Sequence, residues 1–409
     1  MVWEIVHWSA LAAALVISLR LFRDLGDIPQ AWFNVARKNM LFAIRHERLI
    51  VSAAVLSAAI ALGTHLFAGA GIALVTHLSL IAITLMVGFP LLWIHVGLRN
   101  LQGKAEYTSI AEARAYLRPE ESVIVMENNG ACLAHPDNHV KRPHLTSRPE
   151  GLGGEDVVMT YCNLAHIGVA YRPEINGKSI DLMVAGQHGN NLIMKDLTTG
   201  EPIQQVYGSR ASDGDGGTGM PAWPTFRMTF RAFEKAYPDG EVFISRITPF
   251  MRNPFLCIFD NLVEAIFLWA MVPHHNTEYL LFETMDVEDD RLPRKALVWG
   301  FTIDDTPIAY TEEFVRENGN LINVAVGEQH IVVAYDEEFE SLGVFYNDTG
   351  AAVEQINFRG DTPNGKLPRV ETVKPGAYWF VWVNYFPKTL LNVHGQQKHV
   401  IGSKGDQAA

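Results

Sequence analysis

Two regimes of hydrophobic patterning divide the chain near residue 104. Before it, apolar residues run almost unbroken through residues 2–21, 49–67 and 72–98. At a rise of about 1.5 Å per residue, each run can cross a hydrocarbon core of roughly 30 Å, which predicts three transmembrane helices. Pro90 inside the third predicts a kink. The first run lacks a basic start and a small-residue cleavage site, so it reads as a retained helix and not as a signal peptide. After residue 104 the pattern shortens to alternating runs separated by turn signals, the period of β-strands.

One strand-turn-strand unit organises this second region. Residues 156–171, DVVMTYCNLAHIGVAY, predict a strand, a turn containing Cys162 and His166, and a second strand; residues 331–346, IVVAYDEEFESLGVFY, form a weaker copy with Asp336 in place of the cysteine. Upstream, each copy has a strand-turn-strand ending in Ala134-His135 or Ala309-Tyr310. Downstream, each has an aromatic-rich short helix before a proline, in residues 229–243 and 377–391. The pattern predicts an internal duplication over about residues 121–248 and 296–393. The expected fold class is therefore N-terminal transmembrane helices followed by a mostly-β, duplicated domain. The expected segments are 1–104 (membrane), 105–252 (first repeat), 253–295 (amphipathic helix and linker), 296–393 (degenerate second repeat) and 394–409 (polar tail). Residues 253–276 are apolar, but Asp260 and Glu264 interrupt them, which predicts a surface or inter-lobe helix and not a fourth span.

Charge orients the membrane part. Arg20, Arg23, Arg37, Lys38, Arg45 and Arg48 lie between the first two spans, residues 68–71 carry no charge, and Arg99 and Lys104 follow the third span. By the positive-inside rule the basic loop and everything after Lys104 face the cytoplasm, in a multi-pass inner-membrane protein; an extracytoplasmic domain is the alternative. Residues 31–46 predict one amphipathic helix at the interface. The net charge of −12 argues against nucleic acid as a partner and leaves lipid, other membrane subunits or a second copy. Three cysteines, with no metal-finger spacing, argue against a disulfide scaffold.

The first repeat concentrates soft ligands: His135, His139, His144, Cys162, His166 and His188. Thiolate plus imidazole suits zinc, copper or iron. The expected site is a mononuclear transition metal held by Cys162, His144 and one or two of His166, His188 and His135. Two other readings stand beside it: Cys162 as a nucleophile with His144 or His166 as its base, and a packed cysteine with incidental histidines in a non-catalytic scaffold subunit. In the membrane part, His77 and His95 fall 18 residues apart on one helix face and would suit a b-type haem, given a facing partner.

These motifs resemble an uncharacterised prokaryotic domain-of-unknown-function family whose hallmark is a TYCPL-type motif following an NGxARAYP strand and a WHE segment. The resemblance covers most of residues 115–391. It puts the family cysteine at Cys162, the WHE histidine at His144, the SGxLxNS glycine and asparagine at Gly186 and Asn190, and the DRxTG positions at Asp196, Thr199 and Gly200. The chain departs from the family at Asn163, Leu145, Leu197 and His135. The resemblance implies no activity. Many members look secreted or lipid-anchored, which favours the extracytoplasmic alternative.

Overall fold

The computed structural model describes residues 1–33, 35–98, 100–247 and 253–397. Arg99 and the tail beyond residue 397 lie outside the described residues. The chain opens with α1 (Val2–Leu25), α2 (Ile28–Trp32), α3 (Arg37–Arg45), α4 (Glu47–Ala68) and α5 (Ala73–Leu92). The three long helices coincide with the three apolar runs. They pack through small residues, with Ala14, Ser18, Ala54 and Ala61 all fully buried, as backbones in close contact require. Val16, Leu19, Val55, Leu56 and Leu85 point outward and are exposed, a surface suited to lipid. α5 runs through Pro90 and ends in a π-helical turn, Trp93–Gly97. At one end of the bundle, His7 bridges Ala61 O (3.0 Å), Thr64 Oγ1 (3.1 Å) and Thr76 Oγ1 (3.1 Å), which joins α1, α4 and α5. His77 lies against His65, with ring centroids 5.4 Å apart, whereas His95 pairs with Glu47 at 2.5 Å. The two histidines expected to share a haem thus sit at opposite ends of the third span, about 27 Å apart along its axis.

The β-rich region begins with β1 (Tyr107–Ser109) and α6 (Ile110–Ala113), whose first turn is capped by Ser109. Then come β2 (Ser122–Asn128), β3 (Ala131–Pro136), α7 (Asp137–Val140), β4 (Leu145–Thr146), β5 (Val158–Cys162) and β6 (Ile167–Tyr171). The β2–β3 turn places Asn129 and Gly130 at φ 47° and 83°, the left-handed pair that a tight hairpin needs. After a small hairpin, β7 (Glu174–Ile175) and β8 (Lys178–Ser179), follow β9 (Leu182–His188), β10 (Asn191–Asp196), β11 (Pro202–Gln204) and β12 (Ser209–Arg210). β13 (Ala222–Trp223), β14 (Phe226–Thr229), α8 (Phe230–Ala236) and β15 (Glu241–Phe243) complete the first half. Its sheets run β1-β15-β3-β2-β14, β13-β6-β5-β4 and β12-β11-β10-β9.

Next comes α9 (Pro254–Asn276). The second half contains β16 (Leu297–Ile303), β17 (Thr306–Tyr310), α10 (Glu312–Glu317), β18 (Leu321–Val326), β19 (Gln329–Asp336) and β20 (Ser341–Tyr346). The hairpin β21 (Asp361–Thr362) and β22 (Gly365–Lys366) precedes β23 (Lys374–Tyr378), α11 (Trp379–Tyr385), β24 (Leu390–Leu391) and β25 (Gly395–Gln397). One sheet runs β23-β16-β17-β24, another β20-β19-β18-β25. In the first half β14 is antiparallel to β2, β2 to β3, and β15 lies parallel to β3. In the second half β23 is antiparallel to β16, β16 to β17, and β24 lies parallel to β17. The aromatic run Tyr378, Trp379, Phe380 and Trp382 is buried in the core.

One expectation needs correction: the single helix expected over residues 31–46 is two, α2 and α3. Trp32, Phe33 and Phe42 stay exposed, but the other large apolar side chains are taken up by protein. Met40, Ala43 and Ile44 join a continuous core with Val184, Ile193 and Met194 of β9 and β10. Arg37 donates to Gln204 (2.9 Å) and Ala211 O (2.8 Å), and Arg45 pairs with Glu201 (2.5 Å). The β9–β12 sheet offers both an apolar surface and acceptors, so the loop docks on protein. Among the described residues four helices are long and apolar enough to cross a membrane, and the fourth is α9, the segment expected to lie on a surface or between lobes. Its polar residues face inward: Arg142 pairs with Asp260 at 2.5 Å, Lys141 with Glu264 at 3.2 Å, and His274 bonds Leu164 O at 2.9 Å. Phe255, Ile258, Leu262, Trp269 and Val272 face outward and are exposed.

Candidate functional site

The turn between β5 and β6 sets the position of the thiol. Cys162 ends β5 at 3% exposure, and its S–H points to Asn190 O, 3.6 Å away. Backbone N–H groups of Leu164, Ala165 and Leu192 surround the sulfur and favour the thiolate, but burial outweighs them and pushes the thiol up to about 12. His144 follows α7 and is held at φ 72°, a conformation uncommon for a non-glycine residue. It is pinned because its N–H donates to Val140 O (3.0 Å) and its carbonyl accepts from Tyr161 N–H (2.7 Å). Its imidazole is buried, which lowers it to about 4, and its Nδ1 has no hydrogen-bond partner.

Cys162 and His144 line one small cavity of about 50 Å³. Sequence reasoning did not anticipate its other polar walls. Asp27, in the link between α1 and α2, accepts from Trp93 Nε1 at 3.4 Å through one oxygen, while the other is buried and unpartnered. Burial raises this carboxyl to about 6. Gln187 of β9 also lines the cavity, and its Oε1 is unpartnered as well. Apolar closure comes from Trp93, Leu164, Leu192, Phe267, Met271 and Phe282. The pocket therefore lies where the N-terminal apolar helices, the β4–β6 and β9–β12 sheets and α9 meet. One signal for Asp27 was available: it is the one acidic residue in the basic loop 26–46.

The remaining expected ligands go elsewhere. His135 is fully buried in the β1–β15–β3 sheet, where its Nε2 meets Tyr107 Oη at 2.9 Å, and burial lowers it to about 3. His188 ends β9, next to Gln187 but outside the cavity lining, and is lowered to about 4. His166, at φ 56°, donates from Nδ1 to Gly376 O (2.7 Å) and faces Asp137 Oδ2 with Nε2 at 3.4 Å. Asp137 is also paired with Arg227 at 2.6 Å; burial pushes its carboxyl up, but the Arg227 charge and the hydrogen bonds from Arg227 and His166 outweigh that and hold it well below the usual range. Arg227 reaches across to Pro375 O at 2.7 Å, so this network ties the two halves together. Among the described residues, no three His, Cys, Asp or Glu side chains are grouped so that they could hold a metal ion. The five expected ligands are not brought together: Cys162 and His144 share a pocket, whereas His135 lies in another sheet, His166 in the turn before β6, bonded to Gly376 O, and His188 outside the cavity lining.

The remaining motif positions divide by role. Asp196 accepts from Thr198 N–H (2.9 Å) and the Thr199 hydroxyl (2.5 Å), and Gly200 adopts φ 78°, so this segment is the turn from β10 to β11. Asn190, at φ 54°, donates to Phe282 O at 2.8 Å and supports the cavity wall from behind. Gly186 lines the cavity itself.

Helices long and apolar enough to cross a membrane, joined through one core to a β-rich region with a buried thiol pocket, define the class of protein. The chain belongs to the family described as "Protein of unknown function (DUF3179)", which matches residues 103–389, more than half of its length. No curated protein and no solved structure matches it.

Proposed function

We propose that this is a membrane-anchored protein whose functional centre is the Cys162 pocket, a site for a soft metal ion held by Cys162 and His144. One observation carries the reading: the thiol and a neutral imidazole line the same cavity, where His144 Nδ1, Asp27 Oδ1 and Gln187 Oε1 are buried without partners. Unpaired buried polar atoms are unfavourable, and three in one small cavity point to an occupant. One sulfur and one imidazole suit copper(I) better than tetrahedral zinc. The metal would displace the thiol proton, and the three N–H groups around the sulfur would stabilise the resulting thiolate.

The second reading, a non-catalytic scaffold subunit, draws on the exposed apolar face of α9, where Trp269 is 70% exposed. We read α9 as lying on the membrane surface, because ion pairs and hydrogen bonds from Asp260 to His274 hold it along the β-rich region. The β-rich region is then read as cytoplasmic, on the side of the basic loop whose Arg37 and Arg45 bond to it; the extracytoplasmic placement is the alternative. The matching strand order and pairing sense of the β14-β2-β3-β15 and β23-β16-β17-β24 sheets support reading the two halves as an internal duplication.

The test is elemental analysis of the detergent-purified chain after incubation with copper(I) or zinc, wild type beside Cys162→Ser and His144→Ala. Near-stoichiometric copper in the wild type, lost in both variants, is the expected result. Wild-type protein that retains no metal would overturn the site and favour the scaffold reading.

A further inference from the structure

A second cavity, sharing no lining residue with the thiol pocket, lies in the seam between the two halves. It is an open groove of about 420 Å³, within the size range of small-molecule sites. Trp223 and Phe226 of the first half form one wall; Arg359, Lys366 and Arg369 of the second form the other. The positive charge here stands out in a chain of net charge −12. Arg369 lies over the Phe226 ring at 4.0 Å and the Phe345 ring at 5.1 Å and donates to Phe358 O, yet its Nε is buried without a partner. Burial lowers it to about 10. Arg359 donates to Ala236 O at 2.5 Å and rests on Tyr237 at 5.0 Å. Lys366 is exposed at the rim. Among the described residues none of the three cations forms an ion pair. The one acid in the lining, Glu127, accepts from Tyr237 Oη at 2.6 Å and offsets part of the charge. Arg172 lies over Trp223 at 5.1 Å but is itself paired with Glu155 at 3.2 Å.

A guanidinium buried like that of Arg369, with Glu127 the one acid in the lining and no ion pair to it, is unfavourable unless something else neutralises it. Cation–π contact accounts for part of its stability but leaves Arg369 Nε unmet. We propose that the groove binds a small anion with a planar apolar body, an aromatic carboxylate being the simplest form. Arg369 and Lys366 would take the carboxylate, and the partly exposed Trp223 the ring, with Phe226 buried behind Arg369 as its support. Arginine suits this role because its planar fork matches a carboxylate while its face stays on an aromatic ring.

Isothermal titration of the full chain in detergent tests the proposal, with 2-naphthoate as probe and 2-naphthamide as its neutral, equally shaped control. Saturable one-to-one binding of naphthoate is expected, weakened about tenfold or more for the amide and for Lys366→Glu, the scale of one charged hydrogen bond. Arg369→Gln should weaken it at least as much; if that variant does not fold, Lys366→Glu still decides, because Lys366 is exposed and supports no packing. No saturable binding to wild type, equal affinity for the amide, or unchanged affinity in Lys366→Glu would each overturn the proposal.

Discussion

Cys162 and His144 show how far residue type alone reaches. Their chemistry was legible because a thiol and an imidazole are soft donors wherever they sit. The expectation that they act together needed more than their types, because 17 residues separate them in the chain and it is the antiparallel pairing of β4 with β5 that sets His144 beside the end of β5. The same burial that makes the pocket also makes the thiol slow to react. In native protein near pH 8, maleimide should spare Cys132 and Cys162, both buried and both raised by burial, and modify Cys257, which is only partly buried. Mass spectrometry of labelled peptides, with and without denaturant, checks this. Rapid native labelling of Cys162 would mean that the pocket opens readily.

Among the elements, α9 carries the clearest conflict between composition and context. Its length and hydropathy fit a membrane span, yet Asp260 and Glu264 find Arg142 and Lys141 on the first half of the β-rich region. Arg142 and Asp260 are nearly fully buried, so removing one partner strands a charge. Arg142→Met should therefore destabilise the fold by about 3–5 kcal/mol, whereas the double variant Arg142→Met/Asp260→Leu should recover most of that loss. Chemical denaturation in detergent, followed by circular dichroism, reads both. If the single variant were as stable as wild type, α9 would not be docked through this pair. The strands and the two aromatic helices, α8 and α11, were readable from alternation and from the prolines that follow them. The split of residues 31–46 into α2 and α3 was not, because it follows from docking against β9–β12.

For the whole molecule, buried neutral histidines govern how stability responds to acid. Burial lowers His135 to about 3, and His139, His144 and His188 to about 4, from an ordinary value near 6.5. Between those values the unfolded chain binds protons that the folded one does not, so stability rises with pH across that window and falls as pH drops through it. Asp27 has the opposite sign: its carboxyl is raised from 3.8 to about 6, so its contribution improves as pH falls from about 6 to 4. One carboxyl does not offset four imidazoles with comparable or larger shifts. The melting temperature should decline steadily from pH 7 to pH 4, which differential scanning fluorimetry in detergent would follow. A flat profile would mean that these histidines are solvated.

By itself the sequence determined what depends on neighbours along the chain. Apolar run length specified the three N-terminal helices, alternation specified the strands, and Asn-Gly or a following proline marked where they turn or stop. These are short-range constraints, written where they act. Tertiary structure alone decided what depends on approach between distant segments. It brought Asp27 from the membrane part and Gln187 from β9 to the Cys162 pocket, sent His135, His166 and His188 elsewhere, and left Arg369 facing an open groove between the halves. A side chain's direction in a strand reverses at every residue, and only the packed sheets determine which cavity each side chain faces.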